Sequence, residues 1–116
     1  MLIVIYGTFM RGQPGHGNLA GARFLGPVQT APRYRLWFVD RLWPSLAEAD
    51  DGVAIEAELY ELDEEHGARL AAVEPEGWYR AAIELSDGRS AEAFLGPARG
   101  VDISDHGGWA AFVASR

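Results

Sequence analysis

Near the start of the chain stands Leu2-Ile3-Val4-Ile5-Tyr6-Gly7-Thr8-Phe9-Met10-Arg11-Gly12. Leu2 to Tyr6 is an unbroken apolar run rich in β-branched residues, the pattern of a strand buried on both faces. The following segment, Gly7 to Gly17, holds four glycines and a proline. It reads as a loop, and a loop leaving a buried strand is where sites are commonly built. A glycine at such an exit lets successive backbone N–H groups turn toward one point, forming a nest for a carboxylate or an oxyanion. An ordinary tight turn has the same composition, so Gly7 and Thr8 alone leave the two readings open.

Outward from this stretch, Arg23 to Val28 and Tyr34 to Val39 read as strands separated by a turn at Pro32. Pro44 interrupts the next segment, which predicts at best a short edge piece at Ser45-Leu46. Asp50-Asp51-Gly52 marks a turn. Val53 to Glu61 alternates, with Val53, Ile55, Ala57 and Leu59 on one face and Glu56, Glu58 and Tyr60 on the other. Asp63 is placed to cap a helix running to about Glu74, with Glu64 and Glu65 in its first turn. Trp78 to Leu85 and Ser90 to Leu95 form a hairpin around Asp87-Gly88. Ser104 or Asp105 caps a last short helix through Ala110 to Val113. Strands adjacent in sequence with a lone central helix predict an α+β fold, a mixed barrel in a single domain spanning residues 1–116.

The 116 residues carry a formal net charge of −7, and every basic residue is Arg. An acidic chain with no basic cluster argues against nucleic acid as a partner. Without Lys there is no Schiff-base chemistry. With no cysteine there is neither a disulfide nor a thiolate nucleophile. No GxxxxGK[ST] phosphate loop and no G-x-S-x-G elbow occurs. His16, His66 and His106 lack ligand spacing, so no metal site and no cofactor is expected. No apolar run has the length of a membrane span, and the first residues lack a signal-peptide pattern. The expected setting is cytoplasmic, without a membrane partner; oligomeric state is not encoded legibly.

Glu74 is the most informative single residue. Gly67, Leu70, Ala71 and Glu74 share one helical stripe, so Glu74 projects from the core-facing side. Pro75 ends the helix there. Partial burial and the negative end of the helix dipole both raise a carboxyl pKa toward the range useful for proton transfer at neutral pH. A frayed, solvated helix end is the plainer alternative. Arg33-Tyr34-Arg35 reads as a strand with solvent-seeking arginines or as a small anion grip. The four tryptophans, Trp37, Trp43, Trp78 and Trp109, read as core or pocket wall.

Taken in order, these segments resemble the γ-glutamylcyclotransferase-like family. Ile3-Val4-Ile5-Tyr6-Gly7-Thr8-Phe9-Met10-Arg11-Gly12 is similar to its hydrophobic-YGTLMRG opening. Phe24-Leu25-Gly26-Pro27, Tyr34-Arg35-Leu36-Trp37, Trp43-Pro44-Ser45-Leu46 and Ile55-Glu56-Ala57-Glu58-Leu59-Tyr60 are similar to its following strands, with Ala57 where Gly is usual. Trp78-Tyr79-Arg80 stands in the place of its Y-x-R. The resemblance implies a small mixed β-barrel with flanking helices and a metal-independent enzyme releasing 5-oxoproline from a γ-glutamyl amine or peptide. It implies Glu74 as the catalytic acid/base. The implied substrate-binding residues are Tyr6, Gly7, Thr8, Phe9, Met10 and Tyr79. The tail Asp102-Ile103-Ser104-Asp105-His106-Gly107-Gly108-Trp109 and the segment Ala54-Ile55-Glu56-Ala57-Glu58 look more like the C-terminal domain of allophanate hydrolase. That likeness implies an alternative, a stand-alone relative acting on a small carboxylated urea derivative, with His16 or His106 as its catalytic group. A non-catalytic binding module is the third reading.

Overall fold

The computed structural model describes all 116 residues. Eight strands form one curled sheet: β1 (Leu2–Ile5), β2 (Arg23–Gln29), β3 (Tyr34–Val39), β4 (Trp43–Glu48), β5 (Glu56–Glu61), β6 (Tyr79–Glu84), β7 (Ser90–Leu95) and β8 (Val101–Asp102). Helix α1 (Glu64–Val73) lies between β5 and β6, and α2 (Trp109–Ala114) ends the chain. Neither is long and apolar enough to cross a membrane.

The sheet runs β2-β5-β1-β7-β4-β3-β8, with β6 on the other edge of β7. A bridge between Thr30 and Leu85 ties the end of β2 to the end of β6, which curls five strands into a barrel-like ring. The apolar run of β1 lies centrally, antiparallel to β5 and parallel to β7. Ile3, Val4 and Ile5 are fully or almost fully buried, as the unbroken run predicts.

Strand β7 changes partner along one edge. It meets β1 at Glu92 and β4 at Leu95, so the sheet forks between those points. The Tyr6 hydroxyl sits at the fork. It donates to the Phe94 carbonyl at 2.6 Å and accepts from the Leu46 amide at 3.1 Å, standing in for ladder bonds that the fork removes. Burial pushes its phenol well above the ordinary tyrosine range. Tyr6 therefore holds the fold with its hydroxyl and offers only its ring to a ligand.

The segment expected to be an edge fragment is a full six-residue strand, β4, inside the sheet. Its tolerance of Pro44 has a simple cause. Leu46 turns its N–H to Tyr6, so Pro44, two residues earlier, aims its missing N–H at the same edge. The β7 pairing on that edge is limited to Leu46, and no ladder bond is lost. The Pro44 carbonyl on this edge accepts from Trp78 Nε1 at 3.1 Å. β5 begins at Glu56 rather than Val53, and Gly108, rather than Ser104 or Asp105, precedes α2. Residues 104–106 form a separate 3-10 turn.

Replacing Tyr6 by Phe keeps the ring and strands the Leu46 amide and Phe94 carbonyl. Two unsatisfied buried backbone groups should lower unfolding stability by about 1–3 kcal/mol, measured by urea denaturation. An unchanged midpoint would mean that the fork does not need the hydroxyl.

Candidate active site

The segment after β1 turns tightly, with the Met10 amide bonded to the Gly7 carbonyl at 3.0 Å and the Gly15 amide to the Thr8 carbonyl at 2.8 Å. The intervening amides of Gly7, Thr8 and Phe9 donate to nothing within the chain. Gly7 and Phe9 are buried, and buried N–H groups almost always have an acceptor. Three consecutive free donors beside a cavity are therefore a nest of the kind that takes an anion. Gly7 is required sterically as well, since a Cβ there would collide with the Pro44 ring.

The nest is fixed from behind. The Glu58 carboxylate, 6% exposed, accepts from the Arg11 amide at 3.0 Å, from Arg11 Nε at 3.1 Å and from the Tyr60 hydroxyl at 3.0 Å. The Arg11 guanidinium also lies over the Phe24 ring, 3.9 Å from its centroid. The alternation along β5 placed Glu58 and Tyr60 on a polar face. The returning loop and β2 cover that face, and both are buried.

Asp63 caps α1 by accepting from the His66 amide at 2.7 Å. Its buried stripe is His66, Gly67 and Leu70, whereas Ala71 is exposed. His66 is buried because its Nε2 meets the Asn18 carbonyl at 2.8 Å, pinning the helix to the glycine-rich loop. Pro75 stops the helix, and Glu74 at its end adopts extended backbone geometry. The Glu74 side chain reaches the same cavity, of about 580 Å³, as Tyr6, Gly7, Thr8 and Phe9. Desolvation pushes its carboxyl up from 4.5 to about 7. Arg80 does not offset this, because it pairs with Glu64 at 3.0 Å.

Other candidates fall elsewhere. Met10 is buried but does not line this cavity, and Tyr79 is 58% exposed and outside it. His16 binds the Phe9 carbonyl at 2.9 Å through Nδ1, while His106 is exposed and packs edge-on against Phe112; neither lines the cavity. Arg33 pairs with Glu84 at 2.9 Å and Arg35 with Asp102 at 2.6 Å, which accounts for both arginines without a ligand. The sequence assigned no site role to Leu42, Val73 or Val113, which line the cavity together with Trp43, Pro44 and Trp109. Leu42 lies in the β3–β4 turn, directly after Asp40 and Arg41, both of positive φ.

The molecule is thus a forked, curled sheet with a main-chain nest and a desolvated Glu74 carboxyl lining one cavity. The model of the family described as the allophanate hydrolase C-terminal domain matches residues 1–114. A Vibrio cholerae protein provisionally named gamma-glutamylcyclotransferase is 33% identical over 89 residues, covering 75% of each chain. The chain thus belongs to the γ-glutamylcyclotransferase-like family, through the group of allophanate hydrolase C-terminal domains. Among solved structures, a uropathogenic E. coli-specific protein is 26% identical with a TM-score of 0.90, covering 99% of this chain and 96% of its own. A mouse AIG2-like protein is 27% identical with a TM-score of 0.68, over 86% of this chain and 78% of its own. Kluyveromyces lactis allophanate hydrolase shares the fold over 97% of this chain and 20% of its own length, at 24% identity and a TM-score of 0.88.

A raised carboxyl pKa has a signed consequence for stability. Between 4.5 and about 7 the folded state binds the Glu74 proton and the unfolded state releases it. This contribution is therefore complete below 4.5 and is lost as pH rises toward 7. Carboxyl-carbon NMR should show one glutamate titrating near 7, and Glu74→Gln should remove that fall in melting temperature. A Glu74 midpoint near the ordinary value of about 4.3 would contradict the desolvated site.

Proposed function

We propose that this protein releases 5-oxoproline from a γ-glutamyl amine or peptide. The observation carrying this reading is one cavity that holds three free amides at Gly7, Thr8 and Phe9 together with a Glu74 carboxyl poised near 7. The amides receive the α-carboxylate of the substrate, and the Thr8 hydroxyl, unbonded within the chain, supplements them. Glu74 takes a proton from the α-amino group. The freed amine attacks the γ-carbonyl, Glu74 returns its proton to the leaving nitrogen, the C–N bond breaks, and the extra proton on the ring nitrogen passes to the departing amine. Ring closure within one bound substrate needs positioning and a proton shuttle, which these groups supply. Membership of a cyclotransferase-like family supports the same chemistry.

A second substrate is favoured by the family match itself. A stand-alone relative of the allophanate hydrolase domain would act on a small carboxylated urea derivative. His16 and His106, the groups expected for that chemistry, do not line the cavity, so the first reading is preferred.

Glu74→Gln should lower 5-oxoproline release by about 10²–10⁴-fold, because an amide cannot accept the amine proton. Binding of the γ-glutamyl substrate, measured by calorimetry, should be largely kept, since main-chain amides hold the carboxylate. If a panel of γ-glutamyl compounds gives no 5-oxoproline while a carboxylated urea derivative is consumed, the second reading replaces the first. Binding without product from either class would identify a binding module.

A further inference from the structure

The cavity is built differently from the nest over part of its wall. Its floor is buried, with Val4, Ile5, Tyr6 and Phe94 closing the bottom. Its mouth is marked by three aliphatic side chains that are exposed to water: Leu42 at 56%, Val73 at 53% and Val113 at 36%. They come from the β3–β4 turn, the end of α1 and α2, three elements far apart in sequence that all line the cavity. Trp43 and Trp109 continue the apolar wall inward. Exposed aliphatics gathered around a single opening differ from scattered surface leucines, because they offer one contiguous apolar contact.

The same wall contains no Arg, Lys or His, and Glu74 is its one charged residue. Val73 immediately precedes Glu74, so the apolar mouth adjoins the proton-transfer group. With the α-carboxylate at the nest and the α-amine at Glu74, the leaving amine extends toward this mouth. An anionic tail, such as the carboxylate of a γ-glutamyl peptide, meets no cation there. A cationic tail, such as that of a polyamine, meets no carboxylate other than the one engaged in catalysis. Contact with these apolar side chains would remove part of the hydration of either charge, and no lining residue replaces it.

Resting on the cyclotransferase reading, we infer that the leaving group is a neutral, apolar amine, recognised by Leu42, Val73 and Val113. Specificity then lies at the mouth, while the nest and Glu74 serve the γ-glutamyl end common to all such compounds.

Three synthetic substrates of matched length test this: γ-glutamyl conjugates of pentylamine, 1,5-diaminopentane and 5-aminopentanoic acid. The uncharged conjugate should exceed both charged ones in kcat/KM for 5-oxoproline by at least about tenfold, the range expected of an apolar pocket. Leu42→Arg, at an exposed turn outside the sheet ladder, should narrow or reverse the preference over the acid conjugate while leaving the folded spectrum unchanged. Equal turnover of all three tails would overturn the apolar mouth and leave the cyclotransferase reading standing. No product from any tail would overturn that reading, and this inference with it.

Discussion

The buried Glu58 carboxylate is the constraint around which the site is organised. A carboxylate removed from water must be satisfied nearly completely, and breaking such a pair leaves an uncompensated charge that costs about 3–5 kcal/mol. Glu58 meets this demand with two donors from Arg11 and one from Tyr60. One of the Arg11 donors is its main-chain N–H, so the loop backbone itself, and not only a long side chain, is drawn onto β5. With Arg11 held at one end and the end of β1 at the other, residues 7–10 have little freedom. The Met10 turn follows, and the amides of Gly7, Thr8 and Phe9 are left without partners. An anion site made this way is organised before ligand arrives, so binding pays little for ordering the loop.

The sheet fork contributes the cavity itself. Where β7 exchanges β1 for β4, the two strands part, and the space between them is roofed by side chains instead of closed by ladder bonds. Tyr6 seals the polar groups at this parting, and Pro44 fits the β4 edge because no amide is called for there. The close approach of Pro44 to Gly7 then sets nest and wall against each other. Site and fold share residues here, which is why Tyr6 is engaged in architecture although it lies in the loop motif.

Much of this was legible in the sequence for local reasons. The apolar run of β1, the glycine-rich loop, the Asp63 cap, the stop at Pro75 and the Asp87-Gly88 hairpin each depend on neighbours in the chain. What could not be read depended on distant partners. Proline rules demoted β4 because the edge that Pro44 faces is decided by Tyr6, 38 positions away in sequence. Alternation put Glu58 on the face opposite Ile55 and Leu59 but could not show its burial, because its donor, Arg11, arrives from a loop 47 residues earlier. Strand β8 has two residues, too few to show any period. The position of Glu74 at the end of α1 was legible because helix spacing and a following proline are both local. The mouth residues were not, since their meeting is a product of three separate elements.

The division between a main-chain nest and a side-chain mouth has a consequence for how such proteins diversify. In the proposed site the grip is made of backbone amides, which any residue except proline supplies at the positions of Thr8 and Phe9, so the hold on the common end of the ligand depends little on side-chain identity there. Leu42 and Val113 lie outside the hydrogen-bonded ladder and are exposed, so their replacement does not tax the barrel. On the proposed cyclotransferase reading, duplicated copies of this fold would acquire new substrates through a handful of surface changes, with the nest and Glu74 inherited intact.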